Sequence, residues 1–121
     1  EVEYRPHMKV NQMAVQVQRW HGGQHPTKST VTRLMQKDGL RPYEWISKPN
    51  QRYAVRSHGY DKTLYLIDGS LEIHLPDTNE RIRLRGGDRV DIPAGVRHGT
   101  ISGMGGAVCL EAALMRRAAH R

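Results

Sequence analysis

The segment from Arg56 to Lys62 reads RSHGYDK and places reactive side chains at every second position. Alternate residues of a β-strand point to the same face, so these side chains are predicted to lie together. An imidazole can bind a transition metal or accept a proton, whereas guanidinium and ammonium groups bind carboxylates and phosphates. The residues that share this predicted face are Arg56, His58, Tyr60 and Lys62.

A second histidine, His98, closes the run GDRVDIPAGVRH, which begins at Gly87. The run has a glycine, five residues, Pro-x-Gly, two residues and a histidine, and it resembles the second motif of the cupin family at each defining position. The first cupin motif, His-x-His, three residues, Glu, six residues, Gly, is matched only by His58 and Gly69. Arg56 and Lys62 stand where that motif has a histidine and the glutamate.

The resemblance, to small single-domain bacterial cupins, implies an all-β fold: a double-stranded antiparallel β-helix, or jelly-roll barrel. It also implies that His58 and His98 point inward and hold a divalent metal such as Fe, Mn, Ni, Zn or Cu. A catalytic metal usually takes about three protein ligands. Asp61 would be the third ligand if a bulge beside Gly59 turned it inward, although strand alternation places Asp61 out of phase with His58.

Arg56 and Lys62 bring two positive charges close to the implied metal. At an effective dielectric constant of ~20, unit charges about 4 Å apart interact by ~4 kcal/mol, and a divalent ion doubles that repulsion. Three hypotheses stay open. The protein is a metal-dependent enzyme or sensor, a metal-free cupin that binds a small anionic ligand in a pocket with Arg56, Tyr60 and Lys62, or a non-catalytic dimeric binding module.

Composition narrows the class of protein. A chain of 121 residues fits one domain, and no apolar run approaches the ~20 residues that cross a bilayer, so we expect a cytoplasmic protein with no membrane partner. The formal net charge is +7, but Arg81, Arg83 and Arg85 alternate with apolar residues, which is typical of a solvated strand face. Nucleic acid is therefore not an expected partner. The single cysteine, Cys109, is predicted to be a core residue.

The elements that must position these side chains are one helix and a series of short strands. Helical spacing of Val31, Leu34 and Met35 predicts a helix over about Lys28–Lys37, with Thr27 or Ser29 as the N-cap and Asp38–Gly39 as its end. An edge strand is predicted at Ala14–Val17. The strands predicted after the helix are Pro42–Ile46, Arg52–Ser57, Thr63–Ile67, Ser70–Leu75, Arg81–Arg85, Arg89–Ile92, Gly99–Ser102 and Ala107–Ala112.

Turn residues and the ends of the chain complete the prediction. Asp68–Gly69 predicts a two-residue hairpin, and further turns are predicted at Pro76–Asn79 and Gly86–Gly87. Residues 11–113 form one cupin-like domain, with the cupin motifs in about 53–111. Residues 1–10, whose start resembles a vector-derived leader, are predicted to be a disordered tail, and residues 114–121 a basic tail. Exposed sheet edges predict a homodimer.

Overall fold

The computed structural model describes residues 15–115, which form seven antiparallel strands and one helix. The elements in chain order are β1 (Gln16–Gln18), α1 (Lys28–Lys37), β2 (Tyr43–Ser47), β3 (Arg52–Arg56), β4 (Tyr60–Leu75), β5 (Glu80–Leu84), β6 (Arg89–Ile92) and β7 (His98–Met115). The predicted all-β fold with one short helix is confirmed.

The two long strands, β4 and β7, lie at the centre of the sheet and pair with each other along most of their lengths. The strand order is β1-β6-β4-β7-β2, with β3 paired to β7 and β5 paired to β4. The first half of β4 pairs with β6 and its second half with β5, whereas β7 pairs first with β3 and then with β2. Each long strand therefore pairs with a different short strand in each of its halves.

The predicted hairpin at Asp68–Gly69 is wrong, because β4 passes through these residues without turning back. Asp68 and Gly69 pair with Val108 and Ala107 of β7, and the register shifts on both sides of them, as in a β-bulge. Gly69 has a φ of 80°, and a Cβ atom there would strike the carbonyl oxygen of Gly106. The Asp-Gly pair therefore marks a bend within a strand.

Other strand boundaries also differ from prediction, because a long strand continues through residues where a turn was predicted. The strands predicted at 63–67 and 70–75 are the halves of β4, and those predicted at 99–102 and 107–112 are parts of β7. β7 continues to Met115, so the predicted basic tail begins inside a strand. The turns at Pro76–Asn79 and Gly86–Gly87 are confirmed. The predicted N-terminal tail and residues 116–121 lie outside the described residues.

Helix α1 has the predicted bounds and caps. The Thr27 hydroxyl oxygen accepts a hydrogen bond from Thr30 N at 3.1 Å, and Gly39 follows the helix with a φ of 77°. Val31 and Met35 are fully buried against an outer face of β4 and β7, where they contact Tyr65, Ile67, Leu110 and Ala112. Within residues 15–115, no helix is long and apolar enough to span a membrane.

The main core lies inside the sandwich and is aliphatic. Its buried members are Leu64, Leu66, Leu71, Ile73, Leu75, Leu84, Val90, Ile92, Val96, Ala107 and Cys109. Cys109 is fully buried, which confirms its predicted place in the core, and burial raises the pKa of its thiol to about 12. The thiol is therefore protonated at neutral pH and serves packing.

Asp88 joins the segment after β1 to the turn between β5 and β6. Its carboxylate accepts hydrogen bonds from Trp20 N at 2.9 Å, from Arg85 N at 2.9 Å and from the Arg19 guanidinium at 2.8 Å. Burial by itself would raise the pKa of Asp88, but the hydrogen bonds from Arg85, Trp20 and Arg19 outweigh burial and lower it. The folded state therefore favours the ionised carboxylate.

We predict that Asp88→Asn lowers the free energy of unfolding at pH 7 by about 1–3 kcal/mol, because the amide NH₂ cannot accept a hydrogen bond and a buried donor loses its partner. Since the pKa of Asp88 is lower in the folded than in the unfolded state, its contribution is present above about pH 4 and is lost as pH falls through the folded pKa. Urea unfolding at pH 7 and pH 3 measures both effects.

The matched control is Asp77→Asn, which removes a more exposed ion pair with Arg97, of 2.7 Å. We expect a change below about 1 kcal/mol for this control at pH 7. Equal losses in the two variants would show that the Asp88 carboxylate does not hold the two segments together.

Candidate functional site

A cavity of about 370 Å³ opens at the end of the barrel where β3 leads into β4. Strands β2, β3, β4 and β7 supply its walls together with the loop around His58. The side chains predicted to share one face all line it: Arg56, His58, Tyr60 and Lys62. His98, the first residue of β7, lines the same cavity and pairs with Arg56 in the sheet.

The two histidine rings lie side by side, with their centroids 5.3 Å apart. The ring of His58 stacks on Tyr60, at 4.7 Å between centroids and 16° between planes. Its Nε2 atom is buried and has no hydrogen-bond partner among the described residues. Nδ1 of His98 donates a hydrogen bond to the carbonyl oxygen of Val96 at 2.9 Å, so Nε2 of the neutral ring carries the lone pair.

The surroundings of the two imidazoles favour their neutral forms. Burial lowers the pKa of His58, and the charges of Lys62 and Arg56 lower it further. The pKa of His98 is also lowered, first by burial and then by Lys62, although the hydrogen bond to Val96 acts in the opposite direction. At neutral pH each ring can therefore accept a proton or a hydrogen bond from a molecule in the cavity.

A carboxylate that sequence reasoning missed, Glu111 of β7, also lines the cavity. Lys62 Nζ lies 3.4 Å from Oε2 of Glu111, and the two side chains are only 15% and 8% exposed. The Tyr43 hydroxyl donates a hydrogen bond of 2.7 Å to the same oxygen. Burial and then this hydrogen bond raise the pKa of Tyr43, so its hydroxyl stays protonated. The only sequence signal for Glu111 is a lone acid within the apolar run VCLEAAL.

Arg56 differs from Lys62, because no hydrogen bond or ion pair joins its guanidinium to another described residue. The Arg56 side chain lines the cavity and is exposed to solvent. With the imidazoles neutral, Arg56 and Lys62 contribute two positive charges to the cavity and Glu111 one negative charge. Among residues 15–115, the side chains that line the cavity therefore carry a formal excess of one positive charge.

Asp61 does not join the two histidines, in contrast to the predicted ligand set. Its Oδ1 atom accepts a hydrogen bond from Ala94 N at 2.8 Å, and the side chain lies outside the cavity that His58 and His98 line. The reason is strand alternation: Asp61 lies between Tyr60 and Lys62 in β4, and since both of these line the cavity, the Asp61 side chain points to the other face. Glu111 takes its place as the carboxylate near the imidazoles.

The donor set fits a divalent metal poorly. Within residues 15–115, no three His, Cys, Asp or Glu side chains are grouped so that they could hold a metal ion. The cavity has two imidazoles, while its carboxylate is already paired with the Lys62 ammonium. A metal next to His58 would also meet the charges of Lys62 and Arg56, which already lower the pKa of that ring.

Comparisons with known proteins bear on the fold. Neither a protein-family model nor a curated protein sequence matches the chain. Solved structures do resemble it. KdgF from a Halomonas species superposes with a TM-score of 0.57 at 21% identity, over 65% of this chain and 71% of that one. The polyketide cyclase RemF from Streptomyces resistomycificus gives 0.57 at 26% identity, over 66% and 57%. An RmlC-like cupin from Shewanella frigidimarina gives 0.54 at 19% identity, over 64% and 68%.

These likenesses agree with the position of the sequence motif. The turn from Pro93 to His98 connects β6 to β7, and Gly95 N donates a hydrogen bond of 2.9 Å to the carbonyl oxygen of His58. The segments that resemble the two cupin motifs therefore meet at the mouth of the cavity. The antiparallel jelly roll, the meeting of these segments and the similarity to solved cupins together show that the chain has the fold of the cupin superfamily.

Proposed function

We propose that this protein is a metal-independent cupin that binds a small organic anion in the cavity that His58 and Arg56 help to line. The observation that carries the proposal is the excess positive charge of the cavity. Lys62 is paired with Glu111 at 3.4 Å, whereas Arg56 has no anionic partner among the described residues. A negatively charged group on the ligand would complete the charge balance.

The Lys62–Glu111 pair supports a cavity that is organised before the ligand arrives. Removing two charges from water is costly unless they are paired and hydrogen-bonded, and Glu111 gains both a cation and the Tyr43 hydroxyl. The pair therefore fixes the Lys62 ammonium at one wall. A carbonyl or carboxylate oxygen of the ligand can share that ammonium, which has three donors.

Arg56 supports recognition of a carboxylate. Its guanidinium presents N–H donors in a planar fork that matches the two oxygens of a carboxylate, and it keeps its charge at any physiological pH. Arg56 lines the cavity and is exposed to solvent, so an entering anion can reach its guanidinium. The neutral His58 and His98 rings line the same cavity, are more buried than Arg56 and suit hydroxyl or amide hydrogens of the ligand.

The test of anion binding is Arg56→Ala. We expect the dissociation constant for benzoate, measured by calorimetry at pH 7.5, to rise about 10- to 100-fold. A hydrogen bond to a charged group contributes about 1.5–3 kcal/mol, and each 1.4 kcal/mol is a factor of ten in affinity. Pyruvate and succinate extend the test to other carboxylates, and uncharged benzamide is expected not to bind.

The matched control is Arg52→Ala on the same strand. Arg52 is exposed and lies outside the cavity, so we expect its loss to leave benzoate affinity within about twofold of wild type. The proposal would fail if none of the carboxylates bound, or if the two arginine variants lost affinity to the same extent.

A separate prediction tests metal independence. Protein purified without a metal-affinity column should contain substoichiometric Fe, Mn, Ni, Zn and Cu by mass spectrometry, and these ions should not raise its melting temperature. The double variant Arg56→His, Lys62→Glu replaces both cations by donors and should gain metal-dependent stabilisation, because imidazole and carboxylate ligands would then surround His58.

Arg52→His is the control, since it adds an imidazole on the same strand but outside the cavity. We expect it to gain no metal-dependent stabilisation. Stoichiometric metal in the wild-type protein, removed by a chelator with loss of stability, would overturn metal independence.

Three expectations from the sequence stay predictions: a homodimer, a cytoplasmic location and the absence of a nucleic-acid partner. For the homodimer, β2 is the strand to test first. It is at the end of the strand order among the described residues, and its Ile46 and Tyr43 side chains are exposed. Sedimentation of the wild-type protein measures this oligomeric state directly.

A further inference from the structure

The aromatic residues of this chain are concentrated at the cavity. The sequence has seven Trp and Tyr residues and no Phe; six of the seven lie within residues 15–115, and four of these six line the cavity. The main core, in contrast, has only aliphatic and small side chains among its buried members. Of the rings at the cavity, only Trp45 also packs against this core, so core packing does not account for the placement of the other three. The four cavity residues are Tyr43, Trp45, Tyr53 and Tyr60.

The rings come from different elements and form two pairs. Trp45 of β2 lies against Tyr53 of β3, with centroids 5.1 Å apart and planes tilted by 55°. Tyr60 at the start of β4 stacks on the imidazole of His58 at 4.7 Å. All four rings are partly exposed, so each keeps some surface for a bound molecule. The cavity thus offers aromatic contacts from β2, β3 and β4.

The charges of the cavity limit the number of anionic groups that a bound molecule can have. Glu111 neutralises Lys62, and Arg56 is left with one positive charge. One anionic group is therefore matched, whereas a second would lie near the Glu111 carboxylate. The cavity volume of about 370 Å³ admits a small ring with substituents.

We infer that the cavity selects planar, ring-bearing monoanions, such as aromatic carboxylates, over saturated acids of the same charge and similar size. The inference rests on the proposed binding of a small organic anion. It adds the class of ligand: the carboxylate lies at Arg56, and the planar ring lies against Trp45 and Tyr53. Flat rings make offset or edge-to-face contacts with aromatic walls, whereas a puckered saturated ring cannot present a π face.

The test compares benzoate with cyclohexanecarboxylate by calorimetry on the full chain at pH 7.5. These acids share one negative charge and a six-membered ring, and they differ in planarity. We expect benzoate to bind about five- to tenfold more tightly. Galacturonate, a polar saturated ring acid, is expected to bind more weakly than benzoate.

Trp45→Leu keeps an apolar side chain but removes the ring, so the preference for benzoate should fall to within twofold. Because Trp45 also packs against the core, Tyr53→Leu is the second variant and should reduce the preference in the same direction. Trp20→Leu makes the same change outside the cavity and should retain the full preference.

The outcomes separate the two levels of the proposal. If both acids bind equally and depend on Arg56, or if galacturonate binds more tightly than benzoate, the aromatic preference is overturned and anion binding stands. If neither ring acid binds but pyruvate or succinate binds in a way that Arg56→Ala weakens, the aromatic preference is overturned and anion binding stands. If no carboxylate binds in that way, the anion-binding function itself falls. A preference that Trp45→Leu and Tyr53→Leu leave intact also overturns the inference.

Discussion

The pairing of β4 with β7 determines where the cavity and its charges lie. In this register Lys62 is opposite Ala113 and Leu64 is opposite Glu111. Residues two positions apart on a strand share a face, so Lys62 and Glu111 are diagonal neighbours on the cavity side of the ladder. A slip of one residue would turn one of the two side chains to the other face and leave the other charge buried without its partner.

That ion pair has unequal effects on the two cations of the cavity. Lys62 is held by Glu111 inside the barrel, whereas Arg56 lies at the mouth without a described partner. One cation therefore shapes the wall and the other is available to a ligand. The imidazoles respond to both charges, because Lys62 and Arg56 reinforce the effect of burial on the pKa of His58. Arg56 and Lys62 would attract an anionic ligand but repel a metal cation, so the same two side chains favour anion binding and disfavour metal binding.

Much of this arrangement could be predicted from local patterns. The two-residue period predicted that Arg56, His58, Tyr60 and Lys62 lie together, and all four line the cavity, although His58 lies in the loop between β3 and β4 and not in a strand. Helical spacing with caps predicted the bounds of α1. Patterns that depend on distant partners were misread. Asp68–Gly69 has the composition of a hairpin, but its φ and bend are set by pairing with Val108 and Ala107 on another strand. Glu111 has no local signal, since its partner Lys62 is far away in sequence and meets it only through strand register.

The close approach at Gly69 has a consequence for the cavity, although it lies elsewhere in the fold. A Cβ at Gly69 would strike Gly106, and a Cβ at Gly106 would lie 2.6 Å from the carbonyl oxygen of Ser47, the last residue of β2. The backbones of β4, β7 and β2 therefore approach one another closely at this point, with no room for a side chain between them. Since β2 also carries Trp45, a side chain at Gly106 would push β2 away from β7 and move part of the aromatic wall with it. The spacing of the cavity walls thus depends on two positions that accept no side chain, although neither position lines the cavity.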